Sequence, residues 1–486
     1  MGLEGENTLL YAVRGPVLGR YLGQLALVLA LLTLPPLGVS LYYGEYPISL
    51  RYLAVIGLLA AAGWPLSHLQ APDRIQGNEA MVIVTLAFVL CPMIMSWPLA
   101  ASGLTAMDAF FEAVSGVTTT GLTTLATVQD KAHSFLFGRA WMQWYGGLGI
   151  AVLAVAIMAQ HGLAARKLVE SSGGELQASS TRTYARRVLA VYILLTLAGG
   201  LLIWSSGLAP FDALTHTLSA VSTGGFSSFD RSLGGALPAF APFAVVLVSF
   251  LGAISLPLYF YAWRRGIFEL LGDLELRTLA GACLAGALLL ALWFWQGGMP
   301  MAEALRQGGL LAVSAQTTAG FSAMSTVSLD AFPMGLIILS MAIGGSLGST
   351  AGGVKLLRML ILLRLIRTLL RRTAAPEHAV VEASLGGRRI KEADMSHALL
   401  VIALFGMVVM FSWLAFLFHG YPPLDALFEV VSAAGTVGLS SGITGSDLPA
   451  SLKLVLCLDM LAGRLEIVAL LVTLYPMTWI GRRQEA

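Results

Sequence analysis

Four short segments carry the residues whose type and spacing could do chemistry: MDAFFEAVSGVTTTGLTT (107–124), FDALTHTLSAVSTGGFSS (211–228), RQGGLLAVSAQTTAGFSA (306–323) and LDALFEVVSAAGTVGLSS (424–441). Aligned on Gly121, Gly225, Gly320 and Gly438, each copy has Thr two residues earlier (Thr119, Thr223, Thr318, Thr436) and Ser six earlier (Ser115, Ser219, Ser314, Ser432). A hydroxyl follows two residues after the glycine: Thr123, Ser227, Ser322 and Ser440. Asp108, Asp212 and Asp425 stand thirteen before it, with Gln307 in the third copy. The chemistry this suggests is removal of a cation's water shell. Asp suits a helix N-cap, and Gln307 predicts a less firmly anchored third helix. Two to three apolar turns follow, ending in a negative helix terminus that favours a cation. The T-x-G run then uses glycine's freedom to aim successive carbonyls one way. Four such units around an axis give a ring of backbone carbonyls, the arrangement that replaces the hydration shell of K⁺. The ligating stretches are expected at Thr118, Thr119, Gly121, Ser222, Thr223, Gly225, Thr317, Thr318, Gly320, Gly435, Thr436, Val437 and Gly438. Small residues also mediate close helix packing, but packing does not require one four-column spacing in four places.

The elements that must hold these segments are membrane helices. Of 486 residues 57% are hydrophobic and 12% charged, against about 25% charged in soluble domains, which excludes a soluble enzyme. Apolar runs near 21–43, 51–69, 80–100, 134–160, 184–206, 238–263, 277–296, 331–371 (interrupted), 397–419 and 450–478 predict ten spans. The T-x-G segments between them are too short to cross and too apolar for exposed loops. They read as re-entrant stretches, which must face protein or a water-lined cavity. Basic residues cluster in three connectors: Arg166, Lys167, Arg182, Arg186 and Arg187; Arg264, Arg265 and Arg277; Arg364, Arg367, Arg371, Arg372, Arg388, Arg389 and Lys391. With Arg14, Arg20, Arg482 and Arg483 they mark one side, the cytoplasm, with both termini there. Residues 1–18 read as a cytoplasmic start because Glu4 and Glu6 stand where a signal peptide is basic. A net charge of +2 gives no field for nucleic acid. Cys91, Cys283 and Cys457 have neither disulfide nor zinc spacing, and scattered histidines (His68, His133, His161, His378, His397, His419) form no metal pattern. No catalytic motif occurs, so neither an enzyme nor an organic cofactor is expected.

Two further features sit inside apolar runs. GGSLGSTAGG (344–353) interrupts an over-long span. Gly344, Gly345, Gly348, Gly352 and Gly353 read either as a movable, water-lined plug below the ring or as a plain kink. Arg464 lies within the last apolar run, where a charge must be paired or face water. It is read as a pore-facing charge that retards cations, or as a pair with Asp459 or another carboxylate. Lys355 is similar, or marks a membrane edge before Arg358 and Arg364. Glu112 and Glu429, nine before their glycines, with His216 and Leu311 at the matching places, either attract cations or bond neighbouring backbone. Asp130, Asp230, Asp330 and Asp447 suggest a mildly acidic rim.

A T-x-G run after a short helix between two spans resembles the potassium-channel pore loop, and Thr436, Val437 and Gly438 spell T-V-G. Four non-identical copies in one chain resemble the Trk, Ktr and HKT superfamily of potassium transporters. GRAWMQWYGGLGI (138–150), GGSLGSTAGGVK (344–355) and MLAGRLEI (460–467) resemble its second helix of repeat one, its intramembrane gating loop and its last helix. The resemblance runs from about residue 75 to the end, and the two additional N-terminal spans fit the TrkH branch. It implies an all-α multi-pass membrane protein with four membrane helix, pore helix, membrane helix repeats around a pseudo-fourfold pore. The expected units are a two-helix extension (1–74) and repeats at 75–175, 176–275, 276–394 and 395–486. It further implies K⁺ uptake, a homodimer, a cytosolic nucleotide-binding TrkA-like regulatory subunit and a bacterial inner membrane. In the HKT branch Ser at the first filter glycine goes with Na⁺ transport, and here that residue is Gly121. An ion-coupled (Na⁺ or H⁺) secondary transporter with alternating access is the rival reading; such folds usually show two repeats and lack T-x-G after each short helix.

Overall fold

A computed structural model describes residues 11–72, 75–158, 180–235, 237–327, 329–376, 382–386 and 388–480. Of the residues named above, Glu4, Glu6, His161, Arg166, Lys167, His378, Arg482 and Arg483 lie outside these, as do the boundaries at 74 and 175; Arg182 and Arg388 are described by backbone alone. The chain opens with α1 (Gly15–Leu32) running through Thr33 into α2 (Leu34–Tyr42), then α3 (Tyr46–Ser67). α1 and α3 approach closely through glycine: a Cβ on Gly63 would stand 2.9 Å from the carbonyl oxygen of Gly23. This pair is fastened to the rest at both ends. The Glu45 carboxylate accepts from the N–H groups of His133 (2.8 Å) and Ser134 (3.0 Å), occupying two donors that a helix start leaves unpaired. At the other end Arg14 Nε meets Glu79 Oε1 at 2.7 Å, and the Val13 N–H donates to Thr478 O at 2.9 Å, so the two ends of the described chain lie together.

Four similar units follow. The first is α4 (Gly77–Ala100), α5 (Ala106–Val117) and α6 (His133–Met158); the second is α7 (Ser180–Ser205), α8 (Pro210–Val221), then α9 (Ala241–Gly252) with α10 (Leu256–Arg265). After a short α11 (Phe268–Gly272) the third has α12 (Leu274–Gln296), α13 (Met301–Gln316), then α14 (Ala331–Ile343) with α15 (Leu356–Thr373). The fourth has α16 (Glu392–Phe418), α17 (Pro423–Ala434), then α18 (Ala450–Arg464) with α19 (Val468–Leu474). Two strands, Ser384–Leu385 and Arg388–Arg389, form a small hairpin in the connector before α16. α12 and α16 begin slightly before the expected unit boundaries at 276 and 395.

α5, α8 and α17 have 12 residues each, about 18 Å of helix, too short to cross a bilayer. They are nonetheless largely buried. From Phe111 to Val117 every residue of α5 is buried, as is every residue of α17 from Phe428 to Ala434. The spans around them turn Leu197, Leu201, Phe411 and Phe418 outward, the pattern of a protein whose solvent is lipid. Among the described residues six helical spans, α1 with α2 counting as one, are long and apolar enough to cross, and a seventh if α9 and α10 count as one. α6 carries Arg139 and Gln143, while α14 and α18 are short because they are interrupted.

Two of those interruptions correct the hydropathy reading. The run 238–263 is not one helix: α9 and α10 meet at 84°. Backbone groups freed at the bend are bonded to the 344–355 loop, where Ser346 N–H donates to Ala253 O (3.2 Å), Thr350 N–H to Gly252 O (3.3 Å) and Leu256 N–H to Gly348 O (3.1 Å). Nor does 450–478 run straight, because Glu466 (φ 54°) and Ile467 (φ 61°) adopt the left-handed region. Side chains there cost on the order of 1–3 kcal/mol each. The bend is held by Arg358 Nη2 donating to Glu466 Oε2 at 2.5 Å and by Ile467 N–H donating to Ala462 O at 2.8 Å.

Candidate functional site

Each re-entrant helix ends in the same way. The N–H of the x residue in T-x-G donates to the carbonyl of the serine six before the glycine: Thr120 to Ser115 (2.9 Å), Gly224 to Ser219 (2.8 Å), Ala319 to Ser314 (2.9 Å) and Val437 to Ser432 (2.8 Å). The preceding threonine N–H donates to Gly116, Ala220, Ala315 or Ala433. These are the paired bonds of a Schellman motif, whose left-handed residue is usually glycine. Here it is Thr119, Thr223, Thr318 and Thr436, with φ of 56°, 51°, 55° and 49°. A β-branched residue there is a genuine outlier, repeated four times, and burial of all four threonines holds it. The serine column therefore reflects helix termination. In copies one and four its hydroxyl also accepts the N–H of Gly121 (3.0 Å) and Gly438 (3.1 Å).

The aspartates are not N-caps. Asp108, Asp212 and Asp425 are the third residue of their helices; Thr105 caps α5 and bonds Asp108 in return. Asp108 also takes Lys453 Nζ at 2.7 Å. α13 is one turn longer than its counterparts and puts Glu303 at its own third position, where it holds Gln307 Nε2 at 2.7 Å. The third helix is lengthened, which departs from the weaker anchoring expected of Gln307.

The four glycines close a ring. A Cβ on Gly121 would stand 2.2 Å from the carbonyl oxygen of Gly224, on Gly225 2.5 Å from that of Ala319, on Gly320 2.0 Å from that of Val437, and on Gly438 2.1 Å from that of Thr120. Each filter glycine thus abuts the x carbonyl of the next copy, and the fourth returns to the first. On one side of the ring lies a cavity of about 610 Å³ lined by all four glycines. Among the described residues no cluster of His, Cys, Asp or Glu could hold a metal.

On the other side lies the 344–355 loop. Gly352 N–H donates to Thr318 Oγ1 (2.7 Å), Thr223 Oγ1 meets Thr350 Oγ1 (3.3 Å), and Gly353 N–H donates to Gly435 O (3.0 Å). The loop's neck is closed by Leu356 N–H to Gly345 O (3.0 Å), Gly344 O accepts from Gln316 Nε2 (2.7 Å), and the Leu347 N–H reaches Glu275 Oε2 (2.8 Å). Arg464, buried, donates from Nη1 to Thr350 O (2.9 Å) and from Nη2 to Gly146 O (3.4 Å). Asp459, the alternative partner, instead accepts from Ser412 at 2.6 Å. Lys355 is buried, and its side chain folds back onto Ala351 O at 2.6 Å.

These observations meet known proteins at many points. The profile described as TrkH, cation transport protein, matches residues 48–479. The chain belongs to the TrkH family of cation transport proteins. It is 32% identical over 439 residues to the Trk system potassium uptake protein TrkH of Salmonella typhimurium, covering 86% of this chain and 88% of that protein. It is 30% identical over 464 residues to an uncharacterized cation transporter of Methanocaldococcus jannaschii, covering 94% and 95%. The crystal structure of the potassium transporter TrkH from Vibrio parahaemolyticus superposes with a TM-score of 0.86 at 26% identity, covering 96% of this chain and all of that one.

In this TrkH-family chain the carboxylates near the ring bond the hydroxyl and backbone groups that follow the filter glycines. Glu112 Oε1 accepts from Thr123 Oγ1 (2.6 Å) and Thr124 N–H (3.0 Å), and Glu429 Oε1 accepts from Ser440 Oγ (2.5 Å) and Ser441 N–H (2.8 Å). His216 Nε2 meets Ser227 Oγ at 2.9 Å. Position nine before the glycine therefore fixes the hydroxyl two after it in three copies, while Leu311 leaves Ser322 to bond Met324 O. The acidic rim does not form as expected. Only Asp230 of the four lines the cavity, beside Arg139 and Arg231, and its carboxylate is taken by the N–H groups of Val128 (2.6 Å) and Gln129 (3.1 Å). Sequence reasoning also missed Glu275, Gln316, the Arg358–Glu466 pair, and the Arg139–Glu112 pair (2.8 Å) whose guanidinium lies 3.7 Å over Phe226. The available signal was a charged or amide side chain inside an apolar span.

Proposed function

We propose that this chain carries K⁺ into the cell through the ring of T-x-G carbonyls, selecting K⁺ and Rb⁺ over Na⁺ and Li⁺. The observation that carries this reading is cyclic closure, each glycine set against the next copy's carbonyl, because backbone oxygens around an axis can replace a hydration shell. The names of the relatives, Trk system potassium uptake protein and potassium transporter, support the choice of K⁺. The ligating stretches are Thr118 to Gly121, Ser222 to Gly225, Thr317 to Gly320 and Gly435 to Gly438. The loop through Gly344, Gly345, Gly348, Gly352 and Gly353, with Lys355 and Arg464, gates from below. The cavity above the ring is then the outer mouth, both termini are cytoplasmic, and the membrane is the bacterial inner one. The resemblance adds a homodimer and a TrkA-like nucleotide-binding subunit as partners. Reconstituted in liposomes, the protein should take up Rb⁺, and excess K⁺ should suppress this while Na⁺ or Li⁺ leaves it nearly unchanged. Equal competition by Na⁺ would contradict the assignment.

The gate is testable at one atom. Gly352 packs so tightly under the ring that a Cβ there would stand 2.1 Å from both Gly435 O and Thr436 Oγ1. Gly352→Ala should unseat the loop and raise Rb⁺ flux severalfold with the K⁺ to Na⁺ preference kept. Unchanged or lower flux in folded protein would mean the loop only supports the ring. This substitution is cleaner than shortening 346–351, which would strand the Ala253 and Gly252 carbonyls.

A further inference from the structure

The four copies are not equivalent at the ring, and the difference traces to one side chain. Gly146 on α6, Gly252 on α9 and Gly463 on α18 each pack on the last carbonyl of their own re-entrant helix, where a Cβ would stand 2.0 Å from Val117 O, 2.4 Å from Val221 O and 1.9 Å from Ala434 O. These glycines align the three helices. Three residues before each stand Gln143, Ser249 and Met460. Ser249 bonds back to Val245 O within its own helix (3.0 Å), and Met460 has no donor. Gln143 alone reaches the neighbouring copy: Nε2 donates to Gly224 O at 2.5 Å, and Oε1 accepts from Phe226 N–H at 3.2 Å. Its amide thus straddles Gly225. The Gly224 carbonyl is the one that abuts Gly121 in the ring.

A second, independent observation points the same way. The x residues are Thr120, Gly224, Ala319 and Val437. Gly224 is the only one without a side chain, and it is absent from the residues of positive φ, so backbone geometry does not demand glycine. Space does. A Cβ on Gly224 would stand 2.4 Å from Gln143 Cδ.

We infer that Gln143 is a specificity-determining positioning residue: its amide holds the Gly224 carbonyl back from the axis, so that the ring cannot contract onto a cation smaller than K⁺. The inference rests on the K⁺ reading above. Selectivity depends on the number and field of carbonyls that can close on the ion. A carbonyl fixed by a side-chain donor resists that closure, and the opposing N–H bond keeps the amide from rotating.

The test is the K⁺ to Na⁺ permeability ratio from reversal potentials, with thermal stability read on the same preparations. Gln143→Met roughly conserves volume but has no donor and only a weakly accepting thioether; the ratio should fall about tenfold while Rb⁺ flux persists. Gly224→Ala pushes the amide off the carbonyl and should lower the ratio likewise. Adding Gln143→Ala makes room for the new methyl without restoring a donor, so the ratio should stay low. An unchanged ratio in Gln143→Met, or recovery in the double variant, would overturn the inference and leave Gln143 as filler. If Gln143→Met fails to fold, the Gly224 pair decides alone. A wild-type protein without K⁺ preference would instead contradict the K⁺ reading itself, which separates the two failures.

Discussion

Arg464→Ala should raise Rb⁺ flux through the reconstituted protein by one to two orders of magnitude. Arg464 is 3% exposed and, among the described residues, its guanidinium bonds only backbone oxygens, Thr350 O of the loop and Gly146 O of α6. Among the described residues no carboxylate pairs with it, so in the gate proposed above its charge would act on the ion path without an offset. At about 5 Å and an effective dielectric near 20, repulsion of a passing cation amounts to about 3 kcal/mol, on the order of a hundredfold in rate. Losing the bond to Thr350 also frees the loop. The cost to the fold is modest, since hydrogen bonds from a charged group contribute about 1.5–3 kcal/mol. A buried ion pair would behave oppositely, because removing one partner strands a charge at about 3–5 kcal/mol. Flux and melting temperature on one preparation decide: a strongly destabilised, no more conductive variant would refute the role. Arg464→Lys, which keeps the charge, should stay near the wild-type flux.

Gly121→Ser should remove most of the K⁺ preference. The new Cβ would stand 2.2 Å from Gly224 O and 3.2 Å from its carbon, both backbone atoms, so no flexible side chain can relieve the clash. The residue would also hold φ 89°, which costs a non-glycine residue about 1–2 kcal/mol. The Gly224 carbonyl must move off its place in the ring. Since 1.4 kcal/mol is tenfold in an equilibrium, the K⁺ to Na⁺ permeability ratio should fall at least about tenfold. Gly438→Ser, whose Cβ would meet Thr120 O at 2.1 Å, should do the same on the opposite side of that glycine's interface. Reversal potentials under bi-ionic K⁺ and Na⁺ measure both. A ratio unchanged in folded Gly121→Ser would show that the ring has slack the structure does not contain.

The repeat was legible because its causes are local. Glycine, threonine and serine recur at fixed spacing wherever the chain ends a helix and turns toward the axis, and one local motif needs no distant partner to show itself. The left-handed threonines were not legible, since propensity places glycine there and only burial on all sides keeps threonine in place. Nor were the bends at 253–255 and 465–467. Hydropathy reads them as continuous helix, while the first has its backbone groups satisfied by a loop about 95 residues downstream and the second is held through the Glu466 carboxylate by Arg358, 108 positions away. Glu112 and Glu429 illustrate a third limit. Spacing placed them near the mouth, but whether a carboxylate faces the ion or the hydroxyl of Thr123 or Ser440 is settled by packing between turns of the same segment.

In the pore proposed above, the carbonyls of Thr120, Gly224, Ala319 and Val437 form a K⁺ site on the pseudo-fourfold axis. Anomalous diffraction from crystals grown in Rb⁺ or Tl⁺ tests it most directly. A peak on the axis at the level of those four oxygens, lost when Na⁺ replaces the heavy cation, is the predicted result. An axis empty at that level, with the cation bound elsewhere in the protein, would contradict it.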